Sequence, residues 1–105
     1  MKAPDVTRLQ FAVLCAIGGA ERPGAEVRET LAKHGYRRSL PSFYDLMSRM
    51  EEGGLVKGSY AQIEVDGYKV RERRYRLTGD GVRAANHFRR WAEISAEGLE
   101  GLKQA

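Results

Sequence analysis

The stretch from residue 39 to residue 81 constrains the fold most, because helix, turn and strand signals follow one another there without a gap. It contains SLPSFYDLMSRMEEGGLV, then a basic segment, then RERRYRLTGDG. A serine-capped amphipathic helix ends at Gly53-Gly54 and is followed by an extended segment. Asp66-Gly67 is a tight-turn signal, and a return strand runs to Leu77 before Thr78 caps another helix. This order predicts a recognition helix followed by a wing.

Two helices precede this stretch. The first is capped by Asp5 or Thr7 and reaches about Ile17. The second has Pro23 in its first turn and stops at Gly35, a residue suited to a left-handed cap. The predicted fold is therefore α+β and mostly α: a winged helix-turn-helix of three helices and a two-stranded wing, with one C-terminal helix. In the third helix, whose cap is Ser39 or Ser42, one apolar face is predicted to be core: Phe43, Leu46, Met47 and Met50.

The positive charge is concentrated in the hairpin and the segment that follows it. The net charge is +4, and residues 57–90 hold 9 basic and 4 acidic groups. Residues 1–56 hold 8 basic and 7 acidic groups, and residues 91–105 hold 1 basic and 3 acidic groups. One basic surface is typical of proteins that bind phosphates. The alternative is a solvated charged surface without a ligand.

The sequence contains no set of residues that predicts an enzyme, a cofactor or a metal. His34 and His87 lack metal-ligand spacing to each other or to Cys15. Cys15 is the single cysteine, which excludes an intramolecular disulfide and fits a reducing compartment. We expect it to be a buried, inert thiol in an apolar helix. Because the sequence also lacks a long apolar run and a signal-peptide pattern, we expect a cytoplasmic protein with no membrane contact.

Three segments of the sequence resemble the PadR family of bacterial transcriptional regulators. They are LQFAVLCAI at 9–17, SLPSFYDLMSRMEEGGLV at 39–56 and RRYRLTGDG at 73–81, and the resemblance covers roughly residues 5–92. It implies a homodimer that controls promoters in the bacterial cytoplasm, with repression as the expected effect. It also implies a winged-helix DNA-binding domain over residues 1–78 and a C-terminal dimerisation segment over residues 79–105, in which we expect one helix of about 20 residues.

The third helix departs from the usual pattern of that family at two places. Leu40-Pro41 stands where the family usually has Pro-Gly, and Asp45 follows the tyrosine where the family usually has Pro. Both places lie at the start of the expected recognition helix. They therefore affect the expected operator sequence more than the fold.

We expect the outer face of the third helix to contact double-stranded DNA. Base reading would fall to Asp45, Ser48 and Arg49: Arg49 can pair bidentately with guanine, and Asp45 can accept a hydrogen bond from a cytosine amine. Ser42 and Tyr44 would bind phosphates without reading sequence. The alternatives are an ordinary surface carboxylate for Asp45, partial core packing for Tyr44, and an i,i+3 ion pair with Glu52 for Arg49.

In the wing, residues two apart share a face, so only part of the basic charge can meet DNA. Arg71 and Arg73 lie on one face, Arg74 and Arg76 on the other. We favour the turn-proximal Lys69 and Arg71. The full predicted DNA-binding set is Arg37, Arg38, Ser39, Ser42, Tyr44, Asp45, Ser48, Arg49, Lys69, Arg71 and Arg73.

The C-terminal helix carries the predicted dimer interface, formed by Phe88, Trp91, Ala92 and Leu99. The resemblance also implies a small hydrophobic effector bound beside aromatic residues at the dimer interface. Trp91 and Phe88 are the candidates for binding it, and plain dimer packing is the alternative. A homodimer would place two recognition helices in successive major grooves, so the operator should be an inverted repeat. A different class of function is a winged-helix module whose basic face binds an acidic protein partner.

Overall fold

The computed structural model describes residues 4–104, with side chains to residue 101, as four helices and one antiparallel sheet. The sheet order is β1-β3-β2. This mostly helical α+β arrangement confirms the predicted winged-helix fold class. The elements are α1 (Arg8–Ile17), β1 (Arg22–Pro23), α2 (Gly24–Lys33), α3 (Leu40–Glu52), β2 (Val56–Val65), β3 (Tyr68–Leu77) and α4 (Gly79–Gln104).

Helix α1 begins with a capping box at Thr7, one of the two predicted caps. The Thr7 hydroxyl accepts a hydrogen bond from the Gln10 amide at 3.1 Å, and the Gln10 side chain accepts one from the Thr7 amide at 2.9 Å. Two backbone donors of the first turn are thereby satisfied. The helix turns Val13, Leu14 and Ile17 into the core.

Strand β1 was missed by the sequence analysis, which placed Pro23 in the first turn of α2. Pro23 instead precedes the helix in an extended conformation, with φ −61° and ψ 140°. Arg22 pairs with Tyr75 of β3, and Pro23 pairs with Arg74. A proline is tolerated there because β1 is an edge strand that needs no donor at that position. The wing is therefore the longer part of a three-stranded sheet.

Helix α3 has one of the two predicted caps and the predicted inner face. Ser39 is its N-cap, and the Ser39 hydroxyl accepts from the amide of Ser42 at 3.3 Å. Phe43, Met47 and Met50 are fully buried. This burial of one stripe fixes the rotation of α3 and turns its polar side outward.

The wing is the hairpin of β2 and β3, closed by the predicted Asp66-Gly67 turn. Both turn residues have positive φ, 51° and 82°. These angles match the two-residue turn whose twist suits a hairpin. Its register pairs Tyr60 with Arg73 and Gln62 with Arg71, so these four side chains share a face.

Helix α4 is 26 residues long, more than the expected 20, and spans about 39 Å. Its first turns pack on the core, where Ala84 is fully buried and the Phe88 ring stacks on Phe11 with centroids 4.3 Å apart. Beyond that point the helix leaves the core. Within the described residues, no helix combines the length and apolarity needed to cross a membrane.

Gly81 in the first turn of α4 is the glycine whose missing side chain the packing requires most. A Cβ there would overlap the carbonyl oxygen of Leu55 and lie 3.2 Å from its carbon. That oxygen accepts a hydrogen bond from Thr78 at 3.1 Å, so it has little freedom to move. We therefore expect Gly81→Ala to lower the free energy of unfolding by about 1–3 kcal/mol in urea titration.

Gly79→Ala is the matched control for this prediction. A Cβ at Gly79 would meet only the flexible end of Arg83, at 3.5 Å. Its effect on stability should stay within about 0.5 kcal/mol. Equal losses from both substitutions would show that the contact with Leu55 is not what requires glycine at residue 81.

Candidate nucleic-acid interface

An open cleft of about 450 Å³ separates the outer face of α3 from one face of the wing. Because Arg71 and Arg73 line it, their face of the wing is the one turned toward α3. Arg74 and Arg76 lie on the opposite face. The cleft residues are Tyr44 and Ser48 of α3 and Tyr60, Arg71, Arg73 and Tyr75 of the wing.

Tyr60 organises the arginines on this face of the wing. The guanidinium carbon of Arg71 lies 4.1 Å from the centre of the Tyr60 ring, and that of Arg73 lies 4.6 Å from it. Cations at such distances from an aromatic face are attracted to it. Tyr60 was absent from the predicted site, although its place opposite Arg73 follows from the register of the hairpin.

Arg73 differs from its neighbour because it is held by an ion pair within the protein. Its Nη2 donates to Oε2 of Glu51 at 2.8 Å, across from the wing to the last turn of α3. Burial lowers the pKa of Arg73, but the Tyr75 hydroxyl and the Glu51 charge raise that pKa more, and the net shift is upward. The guanidinium therefore stays charged. Burial also raises the pKa of Tyr75, against the opposing effect of Arg73, so its phenol stays neutral at neutral pH.

Asp45 and Arg49, two of the three predicted base-reading residues, form an ion pair with each other. Arg49 Nη2 lies 3.2 Å from Asp45 Oδ2, one helical turn apart. The i,i+3 pair of Arg49 with Glu52, expected as the alternative, is thus replaced by an i,i+4 pair. Both side chains are well exposed, and such pairs contribute only a few tenths of a kcal/mol. The pair can therefore open at small cost when a stronger partner arrives.

Tyr44 packs partly against the core, which was the alternative expected for it, and is also accessible from the cleft. Its ring packs edge-on against Phe43, with centroids 5.3 Å apart. Tyr44 is nevertheless 36% exposed and lines the cleft toward the wing. Next to it on α3, Ser48 is exposed and faces the same cleft.

The two arginines before α3 are in different situations. Arg37 is exposed, whereas Arg38 is half-buried and its Nε donates to the Ser42 hydroxyl at 3.1 Å. The Nε and Nη2 atoms of Arg28 donate to the backbone carbonyl of Arg38 at 3.2 and 3.0 Å. These hydrogen bonds tie the loop between α2 and α3 to helix α2. Arg28 was not predicted, because this contact joins residues brought together only by the packing of α2 and α3.

Three of the four predicted dimer residues lie on the part of α4 that leaves the core. Trp91 and Leu99 are 60% and 61% exposed, and Ala92 is also exposed. Phe88 is half-buried by its stack on Phe11. Ile94, 59% exposed, adds an apolar residue that the prediction omitted.

Cys15 is exposed, so the expectation of a buried thiol was wrong. The continuous apolar run of α1 suggested burial all round, but the core covers only one face of the helix. Cys15 lies instead in a shallow groove with Phe11 and Tyr36.

His87 Nε2 lies 3.5 Å from an oxygen of Asp5. Across the described part of the chain, no three histidine, cysteine or acidic residues are grouped to hold a metal ion.

Solved structures with this fold include several PadR-like regulators. A PadR-like transcriptional regulator from Bacillus cereus has 24% identity and a TM-score of 0.74, and 92% of each chain is covered. A PadR family transcription regulator from Clostridium difficile has 16% identity and a TM-score of 0.77, with coverage of 91% of this chain and 98% of that one. No protein-family model matches the sequence, and no functionally curated protein does.

One structure with this fold contains DNA. Bacillus subtilis PadR in complex with operator DNA has 17% identity and a TM-score of 0.62. The match covers 81% of this chain and 48% of that chain. At these identities the comparisons establish a shared fold over most of the chain.

The environment of Cys15 predicts a slow thiol reaction. Although Cys15 is exposed, the groove around it partly desolvates its thiol and raises the pKa of that thiol, so less thiolate is present at a given pH. Alkylation by iodoacetamide, followed by mass spectrometry between about pH 7 and pH 10, should have a higher midpoint in the native chain than in urea. Because folding disfavours the thiolate, stability should also fall as the pH rises through this range. Identical midpoints in the two states would contradict the effect of burial.

Proposed function

We propose that this protein is a PadR-like transcriptional regulator that binds double-stranded DNA as a homodimer. The observation that carries the proposal is the cleft, which places the outer face of α3 and the Arg71 face of the wing on one side of the molecule. The basic charge of residues 57–90 supports it, as does the fold shared with a regulator bound to operator DNA. Such a regulator would act in the bacterial cytoplasm.

In the proposed complex, α3 enters the major groove and the wing follows the adjacent backbone. The N-terminus of α3 and the exposed Arg37 would bind phosphates and fix the register. Arg49 would exchange its weak pair with Asp45 for a guanine, which leaves Asp45 to accept from a cytosine amine. Base reading would thus depend on how one exposed ion pair opens.

The mechanism is positioning and contains no chemical step. Repression would follow from occupation of a promoter by the dimer, and an effector would act by changing the spacing of the two recognition helices. Selection of bound sequences from random duplex DNA tests the proposal. An inverted repeat among the selected sequences is expected. If random duplex DNA at low salt shows no electrophoretic mobility shift with the protein, the result would favour the alternative, a module that binds an acidic protein.

The second half of α4 supports a homodimer. Trp91, Ile94 and Leu99 are large, apolar and exposed, and their spacing places them along one side of the helix. A second copy of the same helix would cover them. Trp91 would also be the main contact of a small hydrophobic effector, because Phe88 already stacks on Phe11.

Arg71 and Arg76 provide a matched test of which wing face contacts DNA. Both are exposed arginines of β3, but they lie on opposite faces. Arg71→Ala should weaken binding to all sequences and reduce the slope of log affinity against log salt by about 1. Arg76→Ala removes the same charge and should leave the slope nearly unchanged. Equal slopes for the two variants in anisotropy titrations would argue against this orientation of the wing.

Trp91→Ala should weaken the dimer, because it removes the largest exposed apolar side chain of α4. A loss of about 2 kcal/mol of dimerisation free energy is expected by sedimentation equilibrium. Val82→Ala is the control, since Val82 is also exposed but lies nine residues earlier, on the opposite side of the helix. A monomeric wild-type chain at high concentration, or equal effects of both substitutions, would contradict this interface.

A further inference from the structure

We propose that Glu51, Gly58 and Arg73 form a clasp that holds the wing at a fixed angle to α3. Arg73 is then a positioning residue, although its charge and location first suggested a DNA contact. The inference rests on the proposed DNA binding and deepens it, because it assigns a function to an acidic side chain beside a basic cleft.

The Glu51 carboxylate links the recognition helix to both strands of the wing. Its Oε2 accepts from Nη2 of Arg73 on β3 at 2.8 Å, and its Oε1 accepts from the amide of Gly58 on β2 at 3.0 Å. Only 35% of the Glu51 side chain and 23% of the Arg73 side chain are exposed. Charge-assisted hydrogen bonds shielded in this way are stronger than exposed ion pairs.

The surroundings of Arg73 favour this role over contact with a phosphate. Its guanidinium carbon lies 4.6 Å from the centre of the Tyr60 ring and 5.3 Å from that of the Tyr75 ring. The same guanidinium is paired with Glu51. Moving it to DNA would leave a half-buried carboxylate without its cation, which is costly. Arg71 is exposed and contacts only the Tyr60 ring among the described interactions, so it can reach DNA without such a loss.

Gly58 is a second, independent sign that the strand accommodates the clasp. A Cβ at this position would lie 2.6 Å from the guanidinium carbon of Arg73 and 3.0 Å from Oε1 of Glu51. Glycine weakens a strand interior and often marks a close approach. Here the close approach is that of the Arg73 side chain over the backbone of β2.

The clasp predicts that removing the negative charge of Glu51 lowers DNA affinity. Removing a negative charge beside a DNA-binding surface ordinarily tightens binding. Glu51→Gln should instead weaken it, because the substitution replaces one of the two accepting oxygens with an NH2 group that can only donate, and removes the charge that attracts Arg73. Glu52→Gln removes the same charge from the next residue of α3, which is exposed, and should leave binding equal or tighter.

The experiment measures anisotropy of a labelled random-sequence duplex at fixed salt with the full chain. Glu51→Gln is expected to bind roughly fivefold more weakly than wild type, as if about a fifth of the wings kept the competent angle. Gly58→Ala, which changes no charge, should show a similar loss. It also covers the case in which Glu51→Gln fails to fold, which thermal unfolding would reveal. Binding by Glu51→Gln and Gly58→Ala as tight as by Glu52→Gln would overturn the clasp.

A double-mutant cycle separates positioning from direct contact. If Arg73 acts through Glu51, Arg73→Gln weakens binding in the wild-type chain and has no further effect in the Glu51→Gln chain. A loss of the same size in both backgrounds would mean that Arg73 contacts DNA itself, and would overturn the proposal.

Hydrogen exchange of the wing amides in the DNA-free protein distinguishes failure of the clasp from failure of the proposed function. Exchange near Gly58 should accelerate in Glu51→Gln but not in Glu52→Gln. Unchanged exchange would disprove the clasp whether or not DNA binds. Accelerated exchange in a chain that does not bind DNA would keep the clasp and refute the proposed function.

Discussion

The carbonyl oxygen of Leu55 is the point on which the arrangement of the other elements depends. It accepts the Thr78 amide at 3.1 Å, and the backbone of Gly81 packs directly against it. The Thr78 hydroxyl donates to the carbonyl of Gly54 at 2.5 Å and accepts from the Gly81 amide at 3.0 Å. These contacts hold the segment between α3 and β2 against the segment between β3 and α4, so four elements meet at one junction. This junction fixes the direction of α4 relative to the recognition helix.

The wing projects from this junction as a ribbon with little support of its own. Residues 64–71 are all exposed, and an isolated two-stranded hairpin is marginally stable. Contacts at the base therefore determine where its tip points. The strand β1 supports β3 through Tyr75 and Arg74 on one edge. Glu51 supports the side that faces α3, which is why one carboxylate can influence charges several residues away.

Local signals predicted most of the fold, because each depends on neighbouring residues. The Asp66-Gly67 turn fixes the pairing of Val65 with Tyr68, and counting back from it places Tyr60 opposite Arg73. A two-residue strand such as β1 has no periodicity to detect, and Cys15 could not be placed because an apolar run does not indicate which face the core covers. The ion pair of Glu51 with Arg73 depends on the angle between α3 and the sheet. No local pattern encodes that angle.

The charge count of the hairpin overstates how much positive charge the cleft face of the wing offers. Of its arginines, Arg73 is neutralised by Glu51, and Arg74 and Arg76 lie on the far face. On α3, the Arg49 guanidinium is paired with Asp45 until that pair opens. On α3, the loop before it and the cleft face of the wing, the exposed cations for which the described contacts give no acidic partner are Arg37, Lys69 and Arg71. A small set of this kind contributes a modest salt-dependent affinity per subunit. Specific binding would then require two subunits held in register, and the rigidity of the wing and of α4 would matter as much as the charge itself.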